Sequence, residues 1–589
     1  MHYKNFKTAV YLPAWIIERL DSDKLASDYE FMERYIGVDK VYIETHRDTK
    51  DIPIEKIQMA KEFLESKGVE VAGGITLTIY DIGDRDEKLD RRLFGTFCYT
   101  DPVFRDKVKE IVEFTAGIFD EIILDDYFFT NCSCEKCIKA KGDRDWPTFR
   151  RELMNDVSKN LIVDTAKKIN PNVKMIVKYP NWRESFHYTG YLPDDQQDIF
   201  DGTYIGTETR SPKYTDQHLP EYLSYSLVRY TENSWPDRVG GGWFDTFQCW
   251  STDRYMEQAY LTAFAKAKEL MFFQWGDLVD NRFVGSMQIQ LNKIDDILSQ
   301  VGKPVGIPVY IPYASSGENH VEMRLGMQGI PIEPTPNFPD VSAKMLLTES
   351  SAADKDVVTK LEQFVRAGGD AFITTGFLAK KGEELRAAGL TEASVSGRKI
   401  NVTRFHMTHY NEDYIEDRKP ITFSEIVHGN NESWSLLNGG DGDYHFSLFL
   451  VSTYGLGRVY IVSIPDNPAD IRNIPSEALD VLRRALRMPE FVSGHDFSAF
   501  TYDDDSMLLY RYVKDPVRPA KVKVFTTGEY DYLMDMVTGE KIESNSTWMY
   551  EEFELKRYQV AEVTLEPGVF RLFRWKKEQA QSTSKHIMI

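Results

Sequence analysis

The sequence predicts an α/β protein: a (β/α)8 TIM barrel, then a second α/β domain, then a small C-terminal antiparallel β domain. Three observations predict it. Eight short apolar runs, each followed by polar residues and an amphipathic helical pattern, fill the first part of the chain, and about 250 residues is typical for such a barrel. Nearly every run ends on polar or charged residues, which a closed barrel gathers on one rim. From residue 498 onward the apolar period becomes two, the spacing of half-buried strands.

The apolar runs are 9–12, 41–43, 69–77, 122–124, 175–177, 202–206, 242–244 and 270–273. Between them, Ile54, Ile57 and Leu64, and again Val103, Ile111 and Phe114, recur at helical spacing. Pro53 and Pro102 stand near helix starts, where a missing N–H costs least, and Gly68 stands where a helix should stop. The run ends carry Trp15, Glu44 to Arg47, Thr76, Asp125 and Asp126, Lys178, Glu208 to Arg210, Asp245, and Gln274 to Asp277. An open doubly wound sheet needs fewer strands and does not predict polar residues at the end of nearly every run. The barrel is the better reading.

Pro304 to Pro308 marks a boundary, so the expected domains are 1–302, 303–495 and 496–589. In the second, 344–347 and 371–374 read as strands around a helix at 357–367 that Gly368 and Gly369 stop. A further strand is expected at 459–463 and a helix at 476–486; 395–455 gives no clear pattern. In the third, strands are expected at 508–512, 522–525, 552–564 and 569–573, with turns at Gly528, Gly539 and Gly568 and a polar tail after Trp575. Asn401-Val402-Thr403 matches a glycosylation sequon, a weak signal.

Of the 589 residues, 71 are basic and 92 acidic, a formal charge of -21. Such a surface disfavours nucleic acid and anionic lipid as partners. No apolar run approaches the roughly 18 residues of a membrane span. The start lacks a secretory apolar stretch, so cytoplasmic residence is expected, or periplasmic or secreted if a leader has been removed.

Three of the five cysteines fall at 132, 134 and 137. Three thiolates at that spacing reach one ion, and zinc takes four ligands. Cys98 is the expected fourth, with Cys249 as the spare. Four protein thiolates fill the coordination sphere and make the metal structural. Free surface thiols or a redox pair are the alternatives.

The chain resembles the glycoside hydrolase family 42 β-galactosidases and their retaining (β/α)8 relatives. Three features carry it: one distant Cys ahead of C-x-C-x-x-C, the aromatic strand Met271-Phe272-Phe273-Gln274-Trp275, and the domain order. The resemblance implies a glutamine-amidotransferase-like, non-catalytic middle domain that takes part in oligomer assembly, often as a trimer. It implies zinc in the cysteine cluster, no organic cofactor, and an oligosaccharide or glycoside as substrate. Within the family the acid/base is a Glu just before the zinc loop; Asp126 matches best, a departure by one methylene.

Glycoside hydrolysis needs two carboxyl groups of different proton affinity. Asp126 is the expected acid, with a helix cap or solvent turn as the bland alternative. Adjacent strand residues face opposite ways, so only one of Asp125 and Asp126 is expected to enter the bowl. Asp245, ending the seventh run, and Glu208, after the sixth, are both candidates for the nucleophile, with Glu232 as an outside choice. Expected substrate contacts are Asp125, Glu44, His46, Arg47, Lys178 and Arg210. Trp243, Trp275 and Tyr127 are expected as flat walls for a sugar. Lys178 would meet an acidic sugar, or pair internally with Asp126 or Glu208. The amidotransferase-like domain has no nucleophilic Cys, since Cys249 is the last in the chain. An exo-acting, retaining hydrolase is the preferred reading; a lyase or other sugar-modifying enzyme using Lys178 or a Tyr as base, and a non-catalytic carbohydrate-binding protein, are the rivals.

Overall fold

The computed structural model describes residues 3–78, 95–280, 283–407, 415–429, 432–441, 443–513, 518–551 and 554–578. Eight parallel strands close into a barrel: β1 Lys7–Leu12, β2 Lys40–Arg47, β3 Glu70–Ile75, β4 Glu121–Leu124, β5 Lys174–Tyr179, β6 Gly202–Gly206, β7 Val239–Asp245 and β8 Glu269–Phe273. Val10 pairs with Val41 on one side of β1 and with Phe272 on the other, which closes the ring. Each strand overlaps one of the eight expected runs.

The ring closes because its interior is filled. Ala9, Tyr11, Tyr42, Ala72, Ile123, Ile176, Tyr204, Trp243 and Met271 form one buried cluster inside it. Large rings need small neighbours. A Cβ on Gly74 would meet the Tyr11 hydroxyl at 2.5 Å, and one on Gly240 would meet the Tyr204 ring at 2.4 Å. At the N-terminal end of the strands Lys40 Nζ donates to Glu121 (2.6 Å), as does the Tyr42 hydroxyl (2.8 Å). This buried polar group plugs the floor, the end of such a barrel that serves stability rather than chemistry.

The helices follow the expected logic. The Pro102–Ala116 helix starts with proline in its first turn and with Asp101 accepting from the Val103 N–H, and it buries Val108, Ile111 and Val112 against the barrel. Gly68, after the Ile54–Ser66 helix, takes φ 80°, a conformation that costs glycine nothing.

By internal contacts the chain forms two compact units, each continuous in space but not in sequence. One joins the barrel to Pro308–Met323 and Glu333–Gln363; the other comprises Val301–Ile307, Arg324–Ile332 and Phe364–Ile589. This division interleaves segments, whereas the sequence suggested cuts after 302 and 495. In the first unit Val309 pairs in parallel with Leu346. In the second, Asp370–Thr374 pairs in parallel with Gly457–Val462, which continues antiparallel through Tyr444–Tyr454, Ser433–Asp441 and Ser394–Met407 to Ile415–Val427. These long strands occupy the stretch that gave no sequence pattern. Ser394–Met407 explains why: most of its residues are only half-buried or exposed, so no apolar alternation marks it. The sequon's Asn401 lies on this strand and accepts from the Thr422 hydroxyl.

After Glu490 the chain is antiparallel β. Phe497–Tyr502, Met507–Arg511 and Phe570–Lys576 lie side by side in one sheet; Ala520–Thr526 and Glu554–Leu565 pair in another. The polar tail beyond 578, and the first two residues of the expected 552–564 strand, lie outside the described residues. Among the described residues no helix is long and apolar enough to cross a membrane.

Candidate active site

The C-terminal ends of β2, β4, β5, β6 and β7 bring their polar residues around one cation. Lys178, on β5, is buried, and its Nζ donates to Asp126 Oδ2 (2.6 Å) and Glu208 Oε1 (3.1 Å) and lies 3.7 Å from Asp125 Oδ1. The same ammonium sits 4.4 Å above the Trp243 ring, the floor of the bowl. Trp243 in turn packs on Tyr11 and Phe273.

Both carboxylates at the end of β4 reach Lys178, contrary to the expected alternation. The strand ends at Leu124, and Asp125 and Asp126 already lie in the following turn, where the pleat no longer dictates direction. Asp125 Oδ1 accepts from the Asp126 N–H (2.8 Å), and Asp125 Oδ2 accepts from Arg47 (2.8 Å) and lies 3.0 Å from the Thr76 hydroxyl. Asp125 is thereby locked.

The three neighbouring carboxyls differ in proton affinity. Burial pushes Asp126 up to about 7, with the Asp125 and Glu208 charges adding to the rise and Lys178 opposing it. Burial also raises Glu208, against Lys178 and with help from Asp245. Burial works the same way on Asp125, but Lys178 and Arg47 outweigh it and hold that carboxyl below its usual range. Lys178 itself is raised: the attraction of Asp126, Glu208 and Asp125 exceeds the cost of burying its charge.

Glu208 differs from its neighbours in one further way. Its Oε2 is buried and, among the described residues, has no hydrogen-bond partner. A Cβ at Gly206 would stand 2.5 Å from that oxygen, so glycine leaves the space the carboxylate occupies. Asn181, after β5, donates to the Glu208 carbonyl (2.8 Å) and exchanges hydrogen bonds with Gln217. Asp245, ending β7, has both oxygens engaged by the Arg210 guanidinium at 3.0 and 2.8 Å.

The remaining expected contacts divide into two groups. Glu44 lies on the rim and accepts from Tyr11, the Ala14 N–H, Thr76 and Arg47. Arg47 stacks over Trp15 and faces the half-buried Tyr127 at 6.0 Å. His46 turns away. A register shift between Glu44 and His46 rotates it out of the bowl to pair with Asp51 at 2.7 Å. Trp275, expected as a flat wall for a sugar, is instead fully buried in the short Trp275–Asp280 helix, and its indole N–H donates to Asp28 outside the barrel. Glu232 sits on the Leu223–Ser234 helix and accepts from the Asp237 N–H ahead of β7, not on the rim.

Sequence reasoning singled out Thr76 and Asp277 only as run ends, and missed Tyr11 and Asn181. Asp277 accepts from Thr246 and Gln274. No local pattern distinguishes Tyr11 from a core tyrosine, because its hydroxyl meets Glu44 only when β1 and β2 are paired.

Behind the β4 end, Cys98, Cys132, Cys134 and Cys137 converge with their Sγ atoms within 4.8 Å of one another, none in a disulfide. Cys98 Sγ is 3.7 Å from both Cys134 and Cys137. Four thiolates at about 2.3 Å from one tetrahedral zinc stand roughly 3.8 Å apart. The donor set therefore fits such an ion and leaves no open coordination position. Cys249 is not part of it; it lies against the Asp245 carbonyl.

Residues 1–294 match the family model described as a probable glycosyl hydrolase, catalytic domain, and residues 302–467 match the second domain of the uncharacterized protein SSO3021. That uncharacterized protein, from Saccharolobus solfataricus, is 27% identical over 498 residues, which span 78% of this chain and 82% of the relative. Among solved structures, the β-galactosidase of Bacillus circulans sp. alkalophilus has a TM-score of 0.64 at 12% identity, covering 97% of this chain and 100% of its own. The exo-β-1,4-mannosidase of Opitutaceae bacterium strain TAV5 has a TM-score of 0.52 at 12% identity, covering 78% and 92%. At that identity these two likenesses speak for the fold. The family model speaks for the chemistry: residues 1–294 belong to the glycosyl hydrolase catalytic domains, and the chain is a glycoside hydrolase.

Proposed function

We propose that the chain is an exo-acting, retaining glycosidase in which Asp126 is the acid/base and Glu208 the nucleophile. The observation that carries this is the shared Lys178 contact at 2.6 and 3.1 Å, which keeps the nearest Asp126 and Glu208 oxygens closer together than the roughly 6.5–9.5 Å of inverting pairs. Exposure supports the division of roles. Asp126 keeps 24% of its side chain open, where a leaving oxygen departs, while Glu208 keeps 5%. Asp126 gives its proton to that oxygen as Glu208 bonds to the anomeric carbon; water then attacks, returning a proton to Asp126 and freeing Glu208. Asp245, held at both oxygens by Arg210, suits orientation better than attack.

The rival that uses Lys178 as a base is disfavoured by its surroundings, since the acidic groups around it raise its proton affinity. The same surroundings weaken Lys178 as a receptor for an acidic sugar. We further propose that zinc occupies the four-cysteine cluster, fixing the loop directly after Asp126; it would supply a structural clamp and no reaction step.

Because the structural neighbours are described as a β-galactosidase and a β-mannosidase, β-galactosides and β-mannosides head the substrate panel. Trapping with 2-deoxy-2-fluoro glycosyl fluorides followed by peptide mass mapping should label Glu208. A label on Asp245 would transfer the nucleophile's role there, and net inversion of the product would end the retaining reading.

A further inference from the structure

Beyond the carboxylates, the rim carries aromatic side chains that no packing requirement explains. Tyr214 is 51%, Phe247 58% and Trp250 65% exposed. Tyr214 lies on the loop after β6, and Phe247 and Trp250 lie on the loop after β7. The Tyr214 and Trp250 rings stand 5.0 Å apart, and the Trp250 N–H donates to Ser211 Oγ at 3.2 Å. Single exposed apolar residues need no explanation, but a cluster of them beside a catalytic cleft does.

The two loops are built as one surface. Arg210 takes φ 55° and Gln248 φ 53°, left-handed conformations at a turn in each loop. The fully buried Gln258 ties their roots together: its Oε1 accepts from the Arg210 N–H and its Nε2 donates to the Asp245 carbonyl, both at 3.0 Å. Arg210 then joins surface to site, binding Asp245 on one side and lying 5.1 Å from the Phe247 ring centre on the other. The aromatic patch is therefore continuous with the carboxylate rim and held in place by a buried side chain.

From this geometry we infer that Tyr214, Phe247 and Trp250 form a binding platform for the sugar units on the leaving-group side of the scissile bond. The substrate class is thus an oligosaccharide rather than a small glycoside. A pyranose ring offers an apolar C–H face that matches a flat aromatic face, while its hydroxyls stay in water. In an exo-acting enzyme the terminal sugar fills the bowl and the rest of the chain leaves across the rim. The inference rests on the glycosidase reading above.

The test compares two substrates of the same sugar in the parent and in Trp250→Ala and Tyr214→Ala. Glycosyl fluorides of galactose, mannose, glucose and xylose have a leaving group too small to reach the platform; the matching β-1,4-linked trisaccharides reach it. Each variant should lower the ratio of kcat/KM for trisaccharide to kcat/KM for fluoride by about tenfold, the scale of one lost aromatic contact. An unchanged ratio overturns the platform while leaving the glycosidase reading intact. A change of oligomeric state on Trp250→Ala, seen by sedimentation, overturns it in favour of a second copy covering the patch. A parent that cleaves neither substrate class overturns the reading beneath.

Discussion

At the scale of single residues, one buried lysine organises the site. Lys178 sits among Asp125, Asp126 and Glu208, so the proton affinity of each depends on it. Asp126→Asn should lower kcat by about 10²–10⁴-fold, the usual contribution of a general acid, with the fold retained by circular dichroism. Because burial lifts Asp126 to about 7 and the acid must start protonated, kcat/KM should fall as pH rises through that value. Lys178→Met removes the opposing charge, so the alkaline limb should move to higher pH while overall activity drops. Stability carries the same sign. The folded chain holds a proton on Asp126 that the unfolded chain gives up near pH 4, so this group's contribution is lost between about pH 4 and 7. The parent's Tm should therefore decline over that window more than that of Asp126→Asn, measured by differential scanning calorimetry.

Two glycines and a loop set the precision of the elements. Gly241 of β7 would place a Cβ 2.2 Å from the Glu269 carbonyl oxygen of the neighbouring strand. Backbone cannot yield as a side chain can, so Gly241→Ala should destabilise the barrel by about 3 kcal/mol in urea titrations. Gly206→Ala sets a Cβ 2.5 Å from Glu208 Oε2 and 3.0 Å from the Asn181 backbone nitrogen; it should cost less urea stability than Gly241→Ala and cut kcat by about 10–100-fold, because small displacements of a reacting group cost that much. The cysteine loop acts on the same position from behind. Cys137→Ser should reduce bound zinc from about one per chain to near none by elemental analysis, as one ligand of four is lost, and lower kcat with it. Full activity without metal would show that the loop does not position Asp126.

For the whole molecule, legibility followed the range of the interaction that fixes each feature. Eight strands, their order and their polar ends were readable, because burying a strand in a closed ring demands an apolar run and the exit to solvent demands a polar one. The four cysteines were readable because an ion needs its ligands close, and three of them are close in sequence. The long strands across 394–454 were not, since a sheet exposed on its surface leaves no alternation to find. At the site, the sequence could gather Asp126, Glu208, Asp245 and Lys178 on one rim but could not rank them. Their ranking is a matter of a few ångströms between chain-distant groups: a turn that begins at Asp125, a register shift that expels His46, an arginine that occupies Asp245. Trp275 shows the same limit, because one short helix after β8 turned a promising rim aromatic into core. Residue types in order were enough for the barrel, its metal-clamp candidate and the stock of groups at its mouth, since each is a requirement on residue type. Which carboxylate meets which cation follows from the folded chain alone, since electrostatic coupling depends on distances that no local pattern encodes.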